Sequence, residues 1–589
     1  MAPKQSFPII FLIAYTSHFI RMSHTCLPIS ILRNKNVLCN KENTKLINKI
    51  LKKIIFEKNF LLQTLKEKIS SNGSYLTPLV ILNEKIYFFK TWKAEKKIFH
   101  FISTPQYHKK EKLIEISKKI TSLLHENKDE FQKIAILFSI INQITFIIGD
   151  PGTGKTTIVS KILTGIKIIF PKKKLKIQLA ATTGKAAYRL TESVNNSISN
   201  LKNFYKNETI SIKPAVTLHR LLKVNFKSYQ YFKHSEKFLD IDILIVDESS
   251  MIDIFIMEKL IDSISKKTKI IFLGDPNQLP PIGCGHVLKD IYSYHYNGYT
   301  KKMTQNISIF KINSIKQISN YKFSEINEKI CVLKKNYRFN EKSDIYYISN
   351  KIKKNKFNNF KKLFSNTYKN IKFFTLNTGQ DYKRMIKNLT KNYINYWNIL
   401  NKQKISDIIS IFNNHKLICI FKNGPFGIQG LNEELEYEMN KQGLIKKIVI
   451  DEKIIYFGQP ILILKNDYTM NLYNGDTGII MYGKNNTLQA FFEINKNKTK
   501  AIPINLLPKF QTNWAMSVHK SQGSEFNHVS LVLPHTQLNI LNKDIIYTAI
   551  TRAKKTLTIY SSKKTFKKAI KNKTVRYGGL SQNECIYAK

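Results

Sequence analysis

A glycine-rich segment that ends in a lysine and a threonine separates an apolar run from a stretch that can form a helix. It reads Gly-Asp-Pro-Gly-Thr-Gly-Lys-Thr at 149–156, after the apolar residues 144–148. Backbone N–H groups of such a segment surround phosphate oxygens, its lysine neutralises them, and its threonine hydroxyl binds Mg²⁺. A chance glycine-rich turn is the alternative, but every fixed position and both flanks agree with a phosphate site. The residues predicted to hold a nucleoside triphosphate are Gly149, Asp150, Pro151, Gly152, Thr153, Gly154, Lys155, Thr156 and Thr157.

Two further apolar runs end in polar residues that suit phosphate hydrolysis. Asp247 and Glu248 follow residues 243–246, and Gln278 lies in a turn after residues 270–273. Asp247 could hold Mg²⁺ together with Thr156, while Glu248 polarises the attacking water. The amide of Gln278 could bind the γ-phosphate or that water without taking up a proton. Acids are common at strand ends, so this pair is informative only beside the glycine-rich segment.

The elements that would carry these residues alternate along the chain. Short apolar runs at 146–148, 176–181, 243–246 and 269–273 each end at a polar or glycine-containing loop. This alternation predicts an α/β fold with a parallel sheet, flanked by helices, and with its chemistry at the carboxyl ends of the strands. A second α/β block begins near Cys331. Within it, short β-like runs separated by turns predict a small β-barrel insert.

The length of 589 residues allows roughly three to four domains. We predict a mainly helical, partner-binding domain over 1–110, which ends in strand-like runs. A first lobe follows over 111–330, with a hairpin insert at about 222–240. A second lobe covers 331–589, with the β-barrel insert at about 424–510.

Lys and Arg number 95 against 41 Asp and Glu, which gives a net charge of +54. This excess suits a polyanion such as nucleic acid. The whole chain is rich in Lys, Asn and Ile, as an AT-rich genome would make it, so the charge is only permissive evidence. Six cysteines without a C-x-x-C pair indicate a reducing compartment and no zinc site.

The apolar stretch at 7–15 is too short to span a bilayer, and no small-residue cleavage site follows it. It predicts a buried or partner-facing helix. We therefore expect a cytoplasmic protein that does not bind a membrane.

Further motifs follow in a fixed order. Asp-Glu-x-Ser-Met at 247–251 and Gly-Asp-Pro-x-Gln-Leu at 274–279 precede Asn-Tyr-Arg-Phe at 336–339. His-Lys-Ser-Gln-Gly-Ser-Glu at 519–525 and Tyr-Thr-Ala-Ile-Thr-Arg at 547–552 come later. This series resembles the superfamily-one helicases. The resemblance implies two RecA-like P-loop lobes that bind ATP and Mg²⁺ between them.

Three segments narrow the resemblance. They are Thr-Gly-Lys-Ala-Ala-x-Arg-Leu-Thr-Glu-Ser at 183–193, Gly-Pro-Phe-Gly at 424–427, followed by Asn432, and His-Thr-Cys-Leu-Pro-Ile at 24–29. They resemble the RecD family, the α subunits of exodeoxyribonuclease V, and the likeness is weakest over 1–110 and 290–420. It implies an ATP-dependent 5′→3′ DNA helicase that processes double-strand DNA ends for recombinational repair. It also implies a heterotrimer with a larger helicase–nuclease subunit and a scaffold subunit, and an SH3-like fold for the insert.

The same resemblance implies roles for further residues. Arg338 and Arg552 would supply positive charge to the leaving phosphates, although a salt bridge is the ordinary role of an arginine such as Arg338. Gln132 would read the adenine edge, and Glu525 would touch the ribose. Aromatic residues of the hairpin insert, Phe226, Tyr229 and Tyr231, would separate the strands. The predicted DNA contacts are Thr182, Thr183, His219, Asn336, Ser517 and His519.

The sequence contains no acidic cluster suited to a two-metal nuclease, and Asp-Glu-Lys at 451–453 is typical of a turn. We therefore predict that this chain does not cut DNA. Two other functions stay open: a free-standing superfamily-one helicase on RNA or DNA, and a structural subunit with a degenerate motor. The intact Lys155, Asp247 and Gln278 argue against a degenerate motor.

Overall fold

The computed structural model describes most of the chain. Phe226, Tyr229 and Tyr231 of the predicted hairpin, and Asp451 and Glu452, lie outside the described residues. The described residues are 3–33, 69–74, 76–106, 109–201, 212–223, 238–296, 298–312, 317, 324–339, 343–356, 360–400, 404–450, 453–467, 469–483, 487–495, 498–535 and 540–581.

The amino-terminal region combines helices with a small sheet of strand order β1-β4-β3-β2. Leu12 of the first helix packs on Leu27, Leu79 and Ile86 of the sheet, so the apolar stretch at 7–15 forms part of a helix with one buried face. None of the helices in the described ranges combines the length and hydropathy needed to cross a bilayer. The elements are α1 (Pro3–Arg21), β1 (Leu27–Pro28), α2 (Ile29–Arg33), β2 (Ser70–Ser71), β3 (Leu79–Leu82), β4 (Lys85–Phe88) and α3 (Phe89–Ser103).

The first lobe is built on a six-stranded sheet of order β10-β5-β9-β8-β6-β7, and every pairing in it is parallel. Its four inner strands are buried almost throughout, as continuous apolar runs require, whereas the edge strand Ile212–Thr217 is partly exposed. Its elements are α4 (Lys110–His125), α5 (Glu130–Ile141), β5 (Ile144–Gly149), α6 (Lys155–Ile169), β6 (Ile177–Ala181), α7 (Gly184–Leu201), β7 (Ile212–Thr217), α8 (Leu218–Leu221), β8 (Ile243–Asp247), α9 (Ile254–Ser263), β9 (Lys269–Gly274), α10 (Val287–Tyr292), α11 (Lys301–Ser308), α12 (Ser324–Asn327) and β10 (Ile330–Leu333).

The second lobe has a five-stranded sheet of order β11-β22-β21-β12-β20, again with parallel pairings throughout. The predicted α/β fold with parallel sheets is therefore confirmed. The lobe consists of α13 (Asp344–Lys353), α14 (Lys361–Phe364), β11 (Ile371–Thr375), α15 (Gly379–Lys391), α16 (Ile394–Ile399), α17 (Ile405–Asn414), β12 (His415–Cys419) and α18 (Ile428–Lys441), then, after the insert, β20 (Ala515–Ser517), α19 (Val518–Ser521), β21 (Phe526–Val532), α20 (Lys543–Ile550), β22 (Ala553–Ser561) and α21 (Lys563–Lys571).

One strand joins a different lobe from the one we predicted. We placed the start of the second lobe at residue 331, but β10 pairs with β5, Cys331 lying opposite Ile147. The first sheet therefore continues to Leu333. A buried apolar run looks the same in either sheet, so the sequence does not indicate which sheet it joins.

The insert of the second lobe is antiparallel. One hairpin pairs β13 with β14, and a five-stranded sheet has the order β18-β17-β16-β15-β19. The predicted β-like runs thus form strands, while an SH3-like barrel stays a prediction. The strands are β13 (Lys447–Ile450), β14 (Lys453–Tyr456), β15 (Pro460–Ile463), β16 (Thr477–Tyr482), β17 (Leu488–Asn495), β18 (Lys498–Pro503) and β19 (Phe510–Thr512).

Asn432 of α18 joins the insert to the sheet of the second lobe. Its buried amide donates to the carbonyl oxygen of Thr512 (2.9 Å) and accepts from the backbone N–H of Ala515 (2.8 Å). Asn432→Ala leaves both backbone groups without this partner, so we expect the free energy of unfolding to fall by about 2–4 kcal/mol. Urea unfolding followed by tryptophan fluorescence measures the change.

The matched control is Asn440→Ala, which changes an exposed residue of the same type on the same helix. Its effect should stay within about 0.5 kcal/mol. Equal losses in the two variants would contradict the role given to the Asn432 amide.

Candidate active site

The glycine-rich loop is closed around the side chain of Lys155. The loop lies between β5 and the first residue of α6, and its Gly152 and Gly154 have φ angles of +88° and +83°. The Lys155 ammonium donates to the carbonyl oxygens of Gly149 (2.6 Å) and Asp150 (3.1 Å). The loop therefore places a cation beside the amino terminus of α6, a helix of 15 residues whose dipole favours anions.

Gly152 cannot carry a side chain without displacing its neighbours. A Cβ atom there would lie 2.5 Å from Cβ of Arg338 and 2.8 Å from Oδ1 of Asn336, at a φ angle that disfavours other residues. We expect Gly152→Ala to lower ATP turnover at least tenfold, because the loop must move away from the residues at 336–338. Gly379→Ala is the control, since nothing lies within 4 Å of its added Cβ. Steady-state turnover of the two variants tests this, and wild-type turnover in Gly152→Ala would contradict it.

The acidic pair lies at the carboxyl end of β8. The backbone N–H of Glu248 donates to Oδ1 of Asp247 (2.8 Å), and Glu248 has a left-handed φ angle of +52°. Burial and the nearby Glu248 carboxylate raise the pKa of Asp247 to about 7, while a hydrogen bond from Thr156 and the charge of Lys155 act in the opposite direction. Thr156, Lys155 and Asp247 therefore lie together, as the sequence predicts.

This group fits a magnesium ion. Its donors are the hydroxyl oxygen of Thr156 and the carboxylate of Asp247, and Mg²⁺ prefers such oxygen ligands. Burial and the Glu248 carboxylate disfavour the charged form of Asp247 and so raise its pKa. A dication bound to this carboxylate would favour its charged form.

Residues that follow β9 of the first lobe form hydrogen bonds with the second lobe. After β9, buried Asp275 accepts hydrogen bonds from the backbone N–H of Asn277 (2.9 Å) and the hydroxyl of Tyr547 (3.0 Å). Gln278 donates to Asp275 (3.4 Å) and accepts from the Arg552 guanidinium (3.1 Å). Burial, with a smaller contribution from Asp150, raises the pKa of Asp275. The amide of Gln278 therefore lies between a first-lobe carboxyl group and a second-lobe arginine.

Arg338 and Arg552 also reach the boundary between the lobes. Arg338 follows β10, donates to the carbonyl oxygen of Thr551 (3.3 Å) and forms an ion pair with Glu525. Burial alone would raise the pKa of Glu525, but Arg338, Arg552, Lys554 and Arg189 hold it below its usual range. The structure thus pairs Glu525 with an arginine, and the ribose contact stays a prediction.

Gln132 and Tyr337 flank the glycine-rich loop. The side-chain amide of Gln132, in the first turn of α5, lies 3.4 Å from the carbonyl oxygen of Thr153. Tyr337 donates its backbone N–H to Gly152 (2.8 Å) and its hydroxyl to Asp129 (2.9 Å), which caps α5. The ring of Tyr337 is still 52% exposed. An open ring and an amide therefore lie on one side of the loop.

Asn336 lies beside the glycine-rich loop. Its amide donates to the carbonyl oxygen of Pro151 (2.8 Å) and accepts from the backbone N–H groups of Arg338 (3.0 Å) and Phe339 (2.9 Å). The structure therefore places the Asn336 amide against the phosphate loop, and its contact with DNA stays a prediction. A short motif gives residue types but does not indicate which loop an amide will bind.

The other predicted DNA contacts lie at strand ends of the two lobes. Thr182 and Thr183 follow β6, and the Thr182 hydroxyl donates to the carbonyl oxygen of Glu248 (3.3 Å). Ser517 ends β20 and caps α19, which carries the exposed His519. His219 lies on the short α8, half-buried, and burial lowers its pKa. Each lobe therefore carries at least one hydroxyl side chain and one histidine among the predicted DNA contacts.

Sequence reasoning missed three contributors to this site. Asp275 and Tyr547 lie inside motifs that we quoted, but their mutual hydrogen bond has no local sign in the sequence. Lys353 of α13 forms an ion pair with Asp150 at 2.6 Å. Burial alone would lower the pKa of Lys353, but Asp150 and Asp275 raise it. This lysine lies in a Lys- and Asn-rich stretch, so its sequence context does not distinguish it from the surface lysines around it.

Comparison with known protein families gives three matches. An AAA domain covers residues 132–284, a UvrD-like helicase C-terminal domain covers 513–560, and the RecBCD enzyme subunit RecD, N-terminal domain covers 1–87. Together with the two parallel sheets and the glycine-rich loop, these matches define a nucleotide-using helicase of two RecA-like lobes.

Curated relatives identify the family. The RecBCD enzyme subunit RecD of Buchnera aphidicola subsp. Schizaphis graminum is 42% identical, over 96% of this chain and 95% of its own. The same subunit of Haemophilus influenzae is 31% identical, over 86% of this chain and 81% of its own. The chain belongs to the RecD family of RecBCD enzyme subunits.

Solved structures give a more distant match. The Pif1 helicase from Bacteroides in complex with ADP-AlF3 and ssDNA is 20% identical, over 74% of this chain and 92% of its own, with a TM-score of 0.38.

Proposed function

We propose that this chain is an ATP-driven motor that moves 5′→3′ along one DNA strand, as the RecD-type helicase subunit of exodeoxyribonuclease V. The observation that carries the proposal is the connection of both lobes at the glycine-rich loop. Arg338 contacts Thr551 and Glu525, and Gln278 contacts Arg552. A nucleotide bound at this boundary would touch both lobes, so its hydrolysis would change their separation.

Residues of the chain have distinct roles in hydrolysis. Lys155 neutralises the β- and γ-phosphates, and Glu248 orients and polarises the attacking water. Gln278 hydrogen-bonds this water or the γ-phosphate, and Arg338 and Arg552 stabilise the charge that develops as the phosphate leaves. Thr156 and Asp247 would hold Mg²⁺, which when bound neutralises charge on the phosphates.

The nucleotide itself is recognised on the other side of the loop. Gln132 presents an amide whose donor and acceptor match the edge of adenine. Gly149, Asp150, Pro151, Gly152, Thr153, Gly154 and Thr157 form the phosphate cradle with Lys155 and Thr156. Glu525 binds the ribose only after it has separated from Arg338.

Movement along DNA follows from where the predicted contacts lie. Thr182, Thr183 and His219 belong to the first lobe, and Ser517 and His519 to the second. Hydroxyls suit phosphate oxygens, and an imidazole can stack on a base. When the lobes close on ATP, the two sets of contacts approach each other along the strand. The hydrogen bond from Thr182 to the Glu248 carbonyl connects strand contact to catalysis.

The family relationship supports the proposed partners. Relatives carry the name RecBCD enzyme subunit RecD, so we propose a heterotrimer with a larger helicase–nuclease subunit and a scaffold subunit. It acts in the cytoplasm on single strands and duplex ends during recombinational repair. The amino-terminal region, predicted over 1–110, binds partners, and the segment at about 222–240, for which the sequence predicts a hairpin, separates strands. That the chain itself cuts no DNA also stays a prediction.

A free-standing helicase on RNA or DNA, or a structural brace, would behave differently. ATP hydrolysis with single-stranded DNA or RNA distinguishes the three. It is measured for the full chain alone and in a complex whose larger subunit has an inactivated motor. We expect stimulation mainly by DNA, loss of turnover when EDTA removes divalent cations, and recovery with Mg²⁺. Stimulation mainly by RNA would favour the free-standing RNA helicase. No turnover in either form would favour the brace.

A further inference from the structure

The described residues that follow α21 leave the second lobe and pack on the first. After α21, Leu580 is fully buried among first-lobe residues, and Tyr294 donates its hydroxyl to the Leu580 carbonyl oxygen (2.8 Å). The backbone N–H of Gly579 donates to Glu95 of α3 (3.0 Å). We predicted that residues up to 589 belong to the second lobe, so the end of the described chain departs from that prediction.

Arg576 of this segment binds one loop of the first lobe. Its guanidinium donates to the carbonyl oxygens of Pro281 (2.6 Å), Gly283 (2.8 Å) and Gly285 (2.6 Å). A guanidinium can do this because its donors lie in one rigid plane. The loop 281–285 begins three residues after Gln278, so Arg576 holds the continuation of a catalytic loop.

Loop 281–285 packs closely against Asp253, which lies five residues after Glu248. A Cβ atom on Gly283 would lie 2.1 Å from Oδ2 of Asp253, and Gly285 has a φ angle of +83°. Asp253 caps α9, which begins soon after Glu248. The N–H of Ile254 donates to the Cys284 carbonyl oxygen (3.1 Å). Asp253 and Ile254 therefore support loop 281–285 from one side, so a shift of its backbone would pass to Gln278, three residues before the loop.

Arg576 is also tied closely to the second lobe. The Asn572 carbonyl oxygen accepts from the N–H of Lys543 (2.9 Å), and its side-chain amide donates to Leu541 (3.0 Å). Four residue steps separate Asn572 from Arg576, and a fully extended chain of that length spans at most about 14 Å. Arg576, which binds loop 281–285, therefore cannot move far from the second lobe.

We propose that Arg576 is a positioning residue for ATP hydrolysis, which holds loop 281–285 so that the Gln278 amide stays in its working position. The inference rests on the proposed function. The hydrogen bonds of the Arg576 guanidinium to Pro281, Gly283 and Gly285 hold the loop that follows Gln278. Arg576 therefore acts on the catalytic step through Gln278 and leaves nucleotide binding to the glycine-rich loop.

The test uses DNA-stimulated ATP turnover by the full chain in its complex, with the motor of the larger subunit inactivated. We expect Arg576→Ala to lower kcat about tenfold and to change KM for ATP less than twofold, because a small displacement of a catalytic group is costly. Arg576→Lys should recover part of kcat, since it keeps the charge but loses the planar donors. The control is Arg384→Ala, an exposed arginine of α15 that should retain wild-type kcat.

A double variant separates positioning from general stability. In a Gln278→Ala background, adding Arg576→Ala should change kcat less than twofold, because the route through Gln278 is already lost. A further tenfold loss there, or a wild-type kcat in Arg576→Ala, would overturn the inference. If Arg576→Ala does not fold, the same comparison is made with Arg576→Lys. A wild-type complex without turnover would instead refute the proposed function, and this inference with it.

Discussion

Replacing Arg338 with alanine is expected to lower kcat for ATP hydrolysis about 10³-fold, with little change in KM. Cβ of Arg338 lies only 2.5 Å from the position of a Cβ built on Gly152, so the arginine backbone adjoins the phosphate loop. An arginine already in the chain stabilises transition-state charge without the entropy cost of recruiting a second protein. Steady-state turnover with saturating single-stranded DNA measures the loss.

The ion pair with Glu525 offers a competing explanation, in which Arg338 only joins the lobes. Glu525→Gln separates the two. If Arg338 is catalytic, Glu525→Gln should keep a far larger part of kcat than Arg338→Ala. Equal losses in the two variants would make the ion pair the reason for the effect. Arg338→Lys should recover little, since lysine lacks the bidentate donor geometry.

Lys155→Gln is expected to lower ATP turnover by about 10²–10³-fold. The Lys155 ammonium is positioned by the Gly149 and Asp150 carbonyl oxygens at the start of α6, where phosphate groups would lie. Glutamine has a similar length but no charge, so developing negative charge loses its nearest cation. The measurement is turnover with single-stranded DNA, with nucleotide binding determined separately by equilibrium titration.

Lys161→Gln on the same helix is the matched control, because Lys161 lies two turns further from the phosphate loop. It should hydrolyse ATP at the wild-type rate. Full turnover in Lys155→Gln would refute the assignment of the glycine-rich loop.

The parts of the site with a fixed local spacing could be predicted from the sequence. Lys155 and Thr156 follow their glycines at set distances, and Asp247 ends an apolar strand, so strand, loop and helix follow from neighbouring residues. The two parallel sheets follow for the same reason, since most of their strands are short buried apolar runs.

Contacts between distant segments could not be predicted in this way. Glu525 and Arg338 are 187 positions apart, and Lys353 reaches Asp150 over 203. A lysine that pairs in the site looks like any other in a chain with 95 Lys and Arg residues. Tertiary packing likewise decides which sheet β10 joins and which loop the Asn336 amide contacts. It also decides that the segment with Arg576 packs on the first lobe.

Strand unwinding tests the central claim, ATP-driven 5′→3′ movement on DNA, most directly. The substrates are duplexes with a single-stranded tail at either the 5′ or the 3′ end, given to the complex after the motor of the larger subunit has been inactivated. We predict ATP-dependent unwinding of the 5′-tailed duplex, loss of that unwinding with Lys155→Gln, and little unwinding of the 3′-tailed duplex. Preferential unwinding of the 3′-tailed duplex, or unwinding unaffected by Lys155→Gln, would contradict the account.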